Sequence, residues 1–444
     1  MSLLLELLAD VNAAQRDRLC ALVERIAETP TGTRSLSDVA TRNHLERGVL
    51  AEAPRVRLMT AHLLGTLAAS SESDGGACVQ PLVALLADQD GSVAAAAARR
   101  LSVLPVPLHA MLFHALPSAA ASSSATVRLR ALDVASALAA RSTQAREVAA
   151  SIVAGLVNDI KSDDLLVALA SCEALAAAVE VQAVPSGFDG EALLALAAVV
   201  RDANAEALLR ERCLLVCSRI AASAAGGAAA QAAFVELASS CLQSPGLQEA
   251  ALDACGRFCE AVSGAECLLL SAGLAAAVCK AALDGASSSA STLAAMHTLA
   301  SAAGAERPVD AELFSEQAEE ALSAHAHAAV DAPNGLASSL WLHLRRRGDA
   351  FLEERVAAYR LLSALGRRTW CCLELCSHAE LLNHLCDPGM ESGHRAQTWR
   401  LAAIGALRSA LRSTGDKHIA LKAKLESAAR YARQGGAVPQ VMLG

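Results

Sequence analysis

The sequence predicts an all-α chain folded as a right-handed superhelical solenoid of armadillo/HEAT-like repeats. Three observations carry that prediction. Apolar residues make up 54% of the chain but aromatics only 2%, and alanine runs through every segment. Alanine is the best helix former, while the aromatic and β-branched residues that strands favour are scarce. One phrase recurs along the chain: a short polar turn, an apolar residue, then Ala and Leu every three or four positions. Its period is mostly about 34–43 residues, the length of a two- or three-helix unit. A chain of 444 residues is long for one compact core, and a repeat array escapes that limit because each unit buries itself against its neighbours.

The elements follow in order. The opening MSLLLELLADV lacks a basic segment and carries Glu6 and Asp10, so it reads as a first capping helix rather than an export signal. Second helices of successive repeats start at Val56 (PRVRLMTAHLLGTLA), Val93, Val127 (ATVRLRALDVASALAA), Leu166, Leu208, Leu247 and, more weakly, Leu293, with further ones near Val356 and Trp399. Each is preceded by another apolar helix, as at Val79–Ala87, Ala149–Val157 and Phe234–Leu242. Asp88, Asp90 and Ser92 can accept from the free N–H groups of a helix start, and Pro54 suits a helix entry. Stretches 117–125 and 284–291 read as inter-helix loops, rich in Ser and Gly or opened by Pro.

Charge divides the chain. From Trp341 onward there are 16 Lys/Arg against 9 Asp/Glu, so a chain of net charge −8 has a basic end and an acidic remainder. The expected organisation is an acidic arm of helical repeats over 1–305, an irregular helix pair or hinge over 306–340, and a basic arm with its cap over 341–444. A polarised rod suits a partner selected by electrostatics.

Several function classes fall away. No run of eighteen or more uncharged apolar residues leads to a membrane span. The basic end mixes its charges with acids and has hardly any aromatics for base stacking, which argues against nucleic acid. The 14 cysteines lie inside apolar stripes, as Cys213/Cys217 and Cys255/Cys259 do, and read as small buried hydrophobes of a reducing cytosol or nucleus. Phosphate-loop, dinucleotide, HExxH and GxSxG motifs are absent. Cys371, Cys372, Cys376, His378, His384 and Cys386 form the best metal candidate, but their spacing is not that of paired zinc ligands, and buried thiols are the preferred reading. No cofactor or metal is therefore expected, and no enzyme activity. His325 and His327 read as solvated.

The candidate residues are charged ones for a partner protein. Arg57, Arg128 and Arg130 sit at the starts of second helices, which line the inner surface of HEAT-type superhelices, although an arginine there also bonds to a neighbouring turn. Arg212 and Glu249 occupy comparable places. Arg345, Arg346 and Arg347 form a triplet suited to a carboxylate or an acidic helix.

A resemblance sharpens the partner. ERVAAYRLLSALGRR runs into Trp370, a short apolar helix stops at Asp387-Pro388, a polar loop follows, and a second Trp-led helix is expected at Trp399. Arg430–Tyr431 and Gly435–Gly436 close the chain. This order resembles the C-terminal part of the 26S proteasome non-ATPase regulatory subunit 5 family. The likeness is weaker up to about Ala303 and more specific from Leu336. It implies an assembly chaperone, monomeric when free, that holds the C-terminal domain of one proteasomal AAA ATPase subunit of the 19S base. The chain departs from the family in its alanine content and its few aromatics. A generic armadillo/HEAT scaffold or adaptor is the rival reading. An importin-type adaptor would carry Asn and Trp ladders, whereas only 3 Trp occur. A repeat-built lyase would need an acid/base pair that no motif nominates.

Overall fold

The computed structural model describes residues 1–70, 72–139, 141–180, 188–223, 227–283, 290–308, 315–330, 335–391, 393–412 and 418–434. Among them there is no strand, and they form two compact units, Met1–Ala192 and Leu193–Gly444.

The first unit runs α1 (Ser2–Glu6), α2 (Ala13–Ala27), α3 (Pro30–Leu36), α4 (Val39–Val49), α5 (Pro54–Ser70), α6 (Glu72–Ala84), α7 (Gly91–Ser102), α8 (His109–Ala120), α9 (Ala125–Ala139), α10 (Thr143–Asp159) and α11 (Leu165–Glu180). The unit boundary falls within α12 (Phe188–Arg201). Helix starts are set by local chemistry. Asn12 and Gln15 form a reciprocal capping box on α2, and the Asp90 carboxylate accepts from the Ser92 and Val93 amides. Ser142 accepts from Ala145, and Asp164 from Leu166 and Val167. Second helices α5, α7, α9 and α11 pack one on the next, and first helices α6, α8 and α10 form the other layer. In α9 the buried residues Val127, Ala131, Val134, Ala135 and Leu138 follow a helical period. Alanine at these seams lets backbones approach closely, so stability comes from many small burials, with leucines such as Leu138 supplying roughly 2–3 kcal/mol each.

The second unit continues with α13 (Ala207–Ala222), α14 (Gly227–Leu242), α15 (Gln248–Phe258), α16 (Val262–Leu270), α17 (Ala272–Leu283), α18 (Ala290–Ala302), α19 (Glu316–Ala328), α20 (Gly335–Leu344), α21 (Leu352–Leu365), α22 (Thr369–Ser377), α23 (Ala379–Cys386), α24 (His394–Arg412) and α25 (Ile419–Gln434). Its second-helix layer is α13, α15, α18, α21 and α24, each packed on the next. Phe234 and Phe258, both fully buried, tie α14 to α15 with ring centroids 4.8 Å apart. The turn from α15 into α16 needs Gly264, where a Cβ would stand 2.0 Å from the Phe258 carbonyl oxygen.

Some elements differ from the sequence expectation. α8 runs on to Ala120 with Pro117 inside it, and α9 starts at Ala125, so the described loop is only 121–124. Most of the loop expected at 284–291 lies outside the described residues, and α18 begins at Ala290. Trp370 stands at the start of α22 rather than at a helix end, and α24 begins at His394, five residues before Trp399. The change of charge at 341 is not a change of packing. Arg360 pairs with Glu306, Arg307 donates to the Cys259 carbonyl at 2.9 Å, and Arg367 donates to Gly304 at 2.9 Å. The start of the segment expected as an irregular helix pair or hinge is thus fastened to the ends of α15 and α21, and α19 and α20 supply a helix pair within it.

Candidate functional site

In the second unit, α13, α15, α18, α21 and α24 all contribute residues to one groove, among them Leu215, Asp253, His297, Arg360 and Trp399. Together with Gly256, Arg257, Glu260, Thr298, Ser301, Val356 and Arg395 they line a groove of about 540 Å³. It runs across successive second helices, the surface that a helical-repeat protein offers to a partner.

The groove is built around Arg360. Its guanidinium pairs with Glu306, donates to the His297 carbonyl at 2.7 Å and its Nδ1 at 3.1 Å, and reaches Ser301 Oγ at 2.8 Å. It also stands 6.0 Å from the centre of the Trp399 ring, a cation–π contact that orients the indole. Burial, with the Arg360 charge next in importance, pulls the His297 imidazole down to about 4, so it stands neutral in the groove at physiological pH. Arg257 pairs with Glu260 at 2.9 Å, and Arg395 with Glu353 at 2.7 Å, both exposed pairs.

The sequence-nominated arginines do different work. Arg57 donates through Nε and Nη2 to the Asp88 carboxylate at 2.6 and 2.9 Å, and through Nη1 to the Ala51 and Glu52 carbonyls at 2.8 Å. Arg128 repeats this with Asp159 at 2.6 Å and the Ser122 carbonyl at 2.7 Å. Arg130 reaches back to the carbonyls of Leu86 and Asp88 at 2.7 and 3.2 Å. Their donors are committed to joining one repeat to the next, so these three tie the scaffold together. The Arg57 charge holds the Asp88 carboxyl below the usual carboxylate range, chiefly through the direct hydrogen bond.

The arginine triplet does not act as one clamp. Arg346 pairs with Glu354 at 2.9 Å and lies over Phe351, Arg347 reaches Met390 Sδ at 3.5 Å, and Arg345 is exposed. Arg212 is exposed on α13, and Glu249 is exposed in the first turn of α15.

The Cys/His run does not converge on one point, although the Cys372 and Cys376 thiols meet each other. His378 caps α23 by accepting from the Leu381 amide, and His384 Nε2 lies 2.7 Å from the Tyr359 hydroxyl. Cys372 donates to the Leu407 carbonyl, and burial pushes the Cys371 thiol up. Among the described residues no group of three or more His, Cys, Asp or Glu side chains could hold a metal. His327 is exposed as expected, and there it pairs with Glu374 at 3.1 Å and packs against Trp370. All the cysteines except Cys267 and Cys386 are buried, and burial pushes Cys255 and Cys279 up to about 12. Among the described residues no single helix is long and apolar enough to cross a membrane.

A buried network unannounced by any motif fixes α21. Arg355 donates to Glu391 at 2.8 Å and to the Gly348 carbonyl at 2.9 Å, and the Tyr359 hydroxyl donates to the same Glu391 carboxylate at 3.1 Å. Gly348 holds φ +96°, a conformation open to glycine, and that turn aims its carbonyl at Arg355. His343, fully buried, meets Glu354 at 2.5 Å.

Comparison with known proteins agrees at the level of fold. No family model and no curated protein sequence matches the chain. The solved structure of Kap121p, a HEAT-repeat protein, matches with a TM-score of 0.53 at 13% identity, over 96% of this chain and 45% of Kap121p. The chain thus spans under half of that protein's length. An engineered protein, structural-genomics target OR497, matches at 18% identity over 92% of this chain and 98% of its own, with a TM-score of 0.42. Stacked helix pairs, arginine staples between repeats and an open second-helix layer define an α-solenoid scaffold of the HEAT/armadillo-like type.

Proposed function

We propose that the chain is a non-enzymatic chaperone for assembly of the 26S proteasome base. It would hold the C-terminal helical domain of one proteasomal ATPase subunit on the second-helix layer of its C-terminal unit. The observation that carries this reading is a coincidence of place. The segment that resembles regulatory subunit 5, from Leu352 on, supplies Val356, Arg360, Arg395 and Trp399, one side of the groove. The mechanism is binding alone: a surface fixed by buried arginines meets a small helical domain without reorganising, and covers it until assembly displaces it.

Titration of the purified chain against each of the six proteasomal ATPase C-terminal domains tests this. Selective one-to-one binding of a single domain, weakened by Trp399→Ala, is the expected result. Binding to none of them overturns the chaperone reading and leaves a helical-repeat scaffold with another partner.

A further inference from the structure

The charges of the groove neutralise one another pair by pair, with one exception. Arg257 has Glu260, Arg360 has Glu306, and Arg395 has Glu353. Asp253 lines the same groove, and its carboxylate makes no hydrogen bond or ion pair with any described residue. Exposed Glu249, one turn earlier on α15, is also without a counter-ion among the described residues. Asp253 is exposed at the groove wall, where partial desolvation pushes its carboxyl up and Glu249 adds to that, against the pull of Arg257.

An aspartate here does nothing for the scaffold. It is the sixth of the 11 residues of α15, too far in to cap the helix, and aspartate is a poor mid-helix residue. The first unit contains the same arrangement. Ala131-Leu132-Asp133 in α9 repeats Ala251-Leu252-Asp253 in α15, with the Ala-Leu pair buried and the aspartate outward in both. Asp133 also lacks a partner among the described residues, and burial alone raises its carboxyl.

We infer that the groove of the second unit accepts a lysine or arginine side chain from a helix of the partner protein. Asp253, supported by Glu249, is its counter-ion, and Leu215, Val356 and Trp399 receive the apolar stem. A cation completes the one open charge in the groove, whereas an anion would add to Asp253 and find every arginine already engaged. This rests on the second-helix layer being the docking face. It fixes the chemistry of what docks there without requiring that the partner be a proteasomal ATPase.

The test uses the full chain and two synthetic amphipathic helices with one apolar face in common. One carries lysines beside that face, the other glutamates at the same positions. Binding is read by tryptophan fluorescence and by calorimetry at low salt. The lysine peptide should bind and the glutamate peptide should not. Asp253→Asn should weaken the lysine peptide about tenfold, Asp253→Glu should restore most of the loss, and the control Glu316→Gln on α19 should change nothing. Equal binding of the lysine peptide to wild type and Asp253→Asn would overturn the inference, as would equal binding of the two peptides. An ATPase domain that binds while the lysine peptide does not would sink this inference alone. The converse would sink only the chaperone reading.

Discussion

In the first unit an arginine staple recurs at a fixed interval. Arg57 meets Asp88 and Arg128 meets Asp159, each 31 residues on, and each arginine also donates to carbonyls of the turn before its own helix. In the second unit Arg355 does the same with Glu391, 36 residues on, and with the carbonyls of Arg346 and Gly348. The difference is depth. The Arg128 and Asp159 side chains are 18% and 15% exposed, but those of Arg355 and Glu391 are 10% and 3%, with Tyr359 and His384 drawn into the same network. One device therefore serves as a mostly buried clip near the surface in one unit, with Arg57 and Asp88 at 16% and 6% exposed, and lies somewhat deeper in the other. A short-side-chain core leaves staples at its rim, and a core that admits tyrosine, histidine and arginine takes the staple inside.

Breaking both staples should expose that contrast most strongly. Glu391→Ala leaves Arg355 as an uncompensated buried charge and should cost roughly 3–5 kcal/mol. Asp159→Ala in the first unit should cost about 1–2 kcal/mol, because water can solvate the freed guanidinium. Hydrogen exchange resolved along the chain would assign each loss to its unit. Equal costs would refute the difference in depth.

Acid sharpens the comparison next. His297 stands at about 4 in the folded chain against about 6.5 unfolded, and burial also lowers His384. A depressed imidazole means that the unfolded chain binds the extra proton first, so stability falls as pH drops from about 6.5 towards 4. For His297 the full effect is roughly 3 kcal/mol. The first unit has one such group, His62, lowered chiefly by burial. Its depressed carboxylate Asp88 keeps its contribution until the pH falls below the ordinary carboxylate value. At pH 5 the second unit should therefore loosen ahead of the first, and His297→Gln should remove most of that gap. Equal loosening in wild type would dismiss the role assigned to His297.

Thiol labelling gives a smaller contrast. Cys20, Cys78 and Cys172 of the first unit are buried, while Cys267 and Cys386 of the second are half-buried. Native labelling at pH 8 should reach only those two, slowly, since burial raises both thiols. Labelling of Cys20 or Cys172 at the same rate would mean that the first unit opens far more often than its packing allows.

The sequence carried the fold legibly because period, small apolar residues and turn chemistry all agreed. The Val56 and Val127 phrases each placed a helix, a buried stripe and a stapling arginine together. The same phrase written in reverse, Arg355-Val356, hid the third staple, and its partner Glu391 lies in a turn with no motif of its own. Trp370 and Trp399 were visible as landmarks but not in their roles. Trp370 donates to Glu319 at 3.1 Å, a residue of the segment expected to be irregular. Asp253 looked like any helix-surface acid. Its one signal was the recurrence of Ala-Leu-Asp in α9 and α15, and only the pairing of every neighbouring charge gives that recurrence meaning.

The triplet Arg345–Arg347 provides the smallest effect and the finest test of what an arginine does in this fold. Arg345 is exposed, so Arg345→Ala should change stability by less than about 0.5 kcal/mol. Arg346 shares Glu354 with buried His343, and its removal should cost about 1 kcal/mol by weakening one side of that carboxylate's support. Among the described residues Arg347 donates only to a methionine sulfur, and Arg347→Ala should resemble Arg345→Ala. Set beside Arg57→Ala, where four donated hydrogen bonds are lost, the series separates arginines that build the solenoid from those left on its surface. Should Arg345→Ala and Arg347→Ala weaken partner binding at unchanged melting temperature, the triplet extends the docking face beyond the groove. Binding and stability falling together would place these arginines with the staples instead.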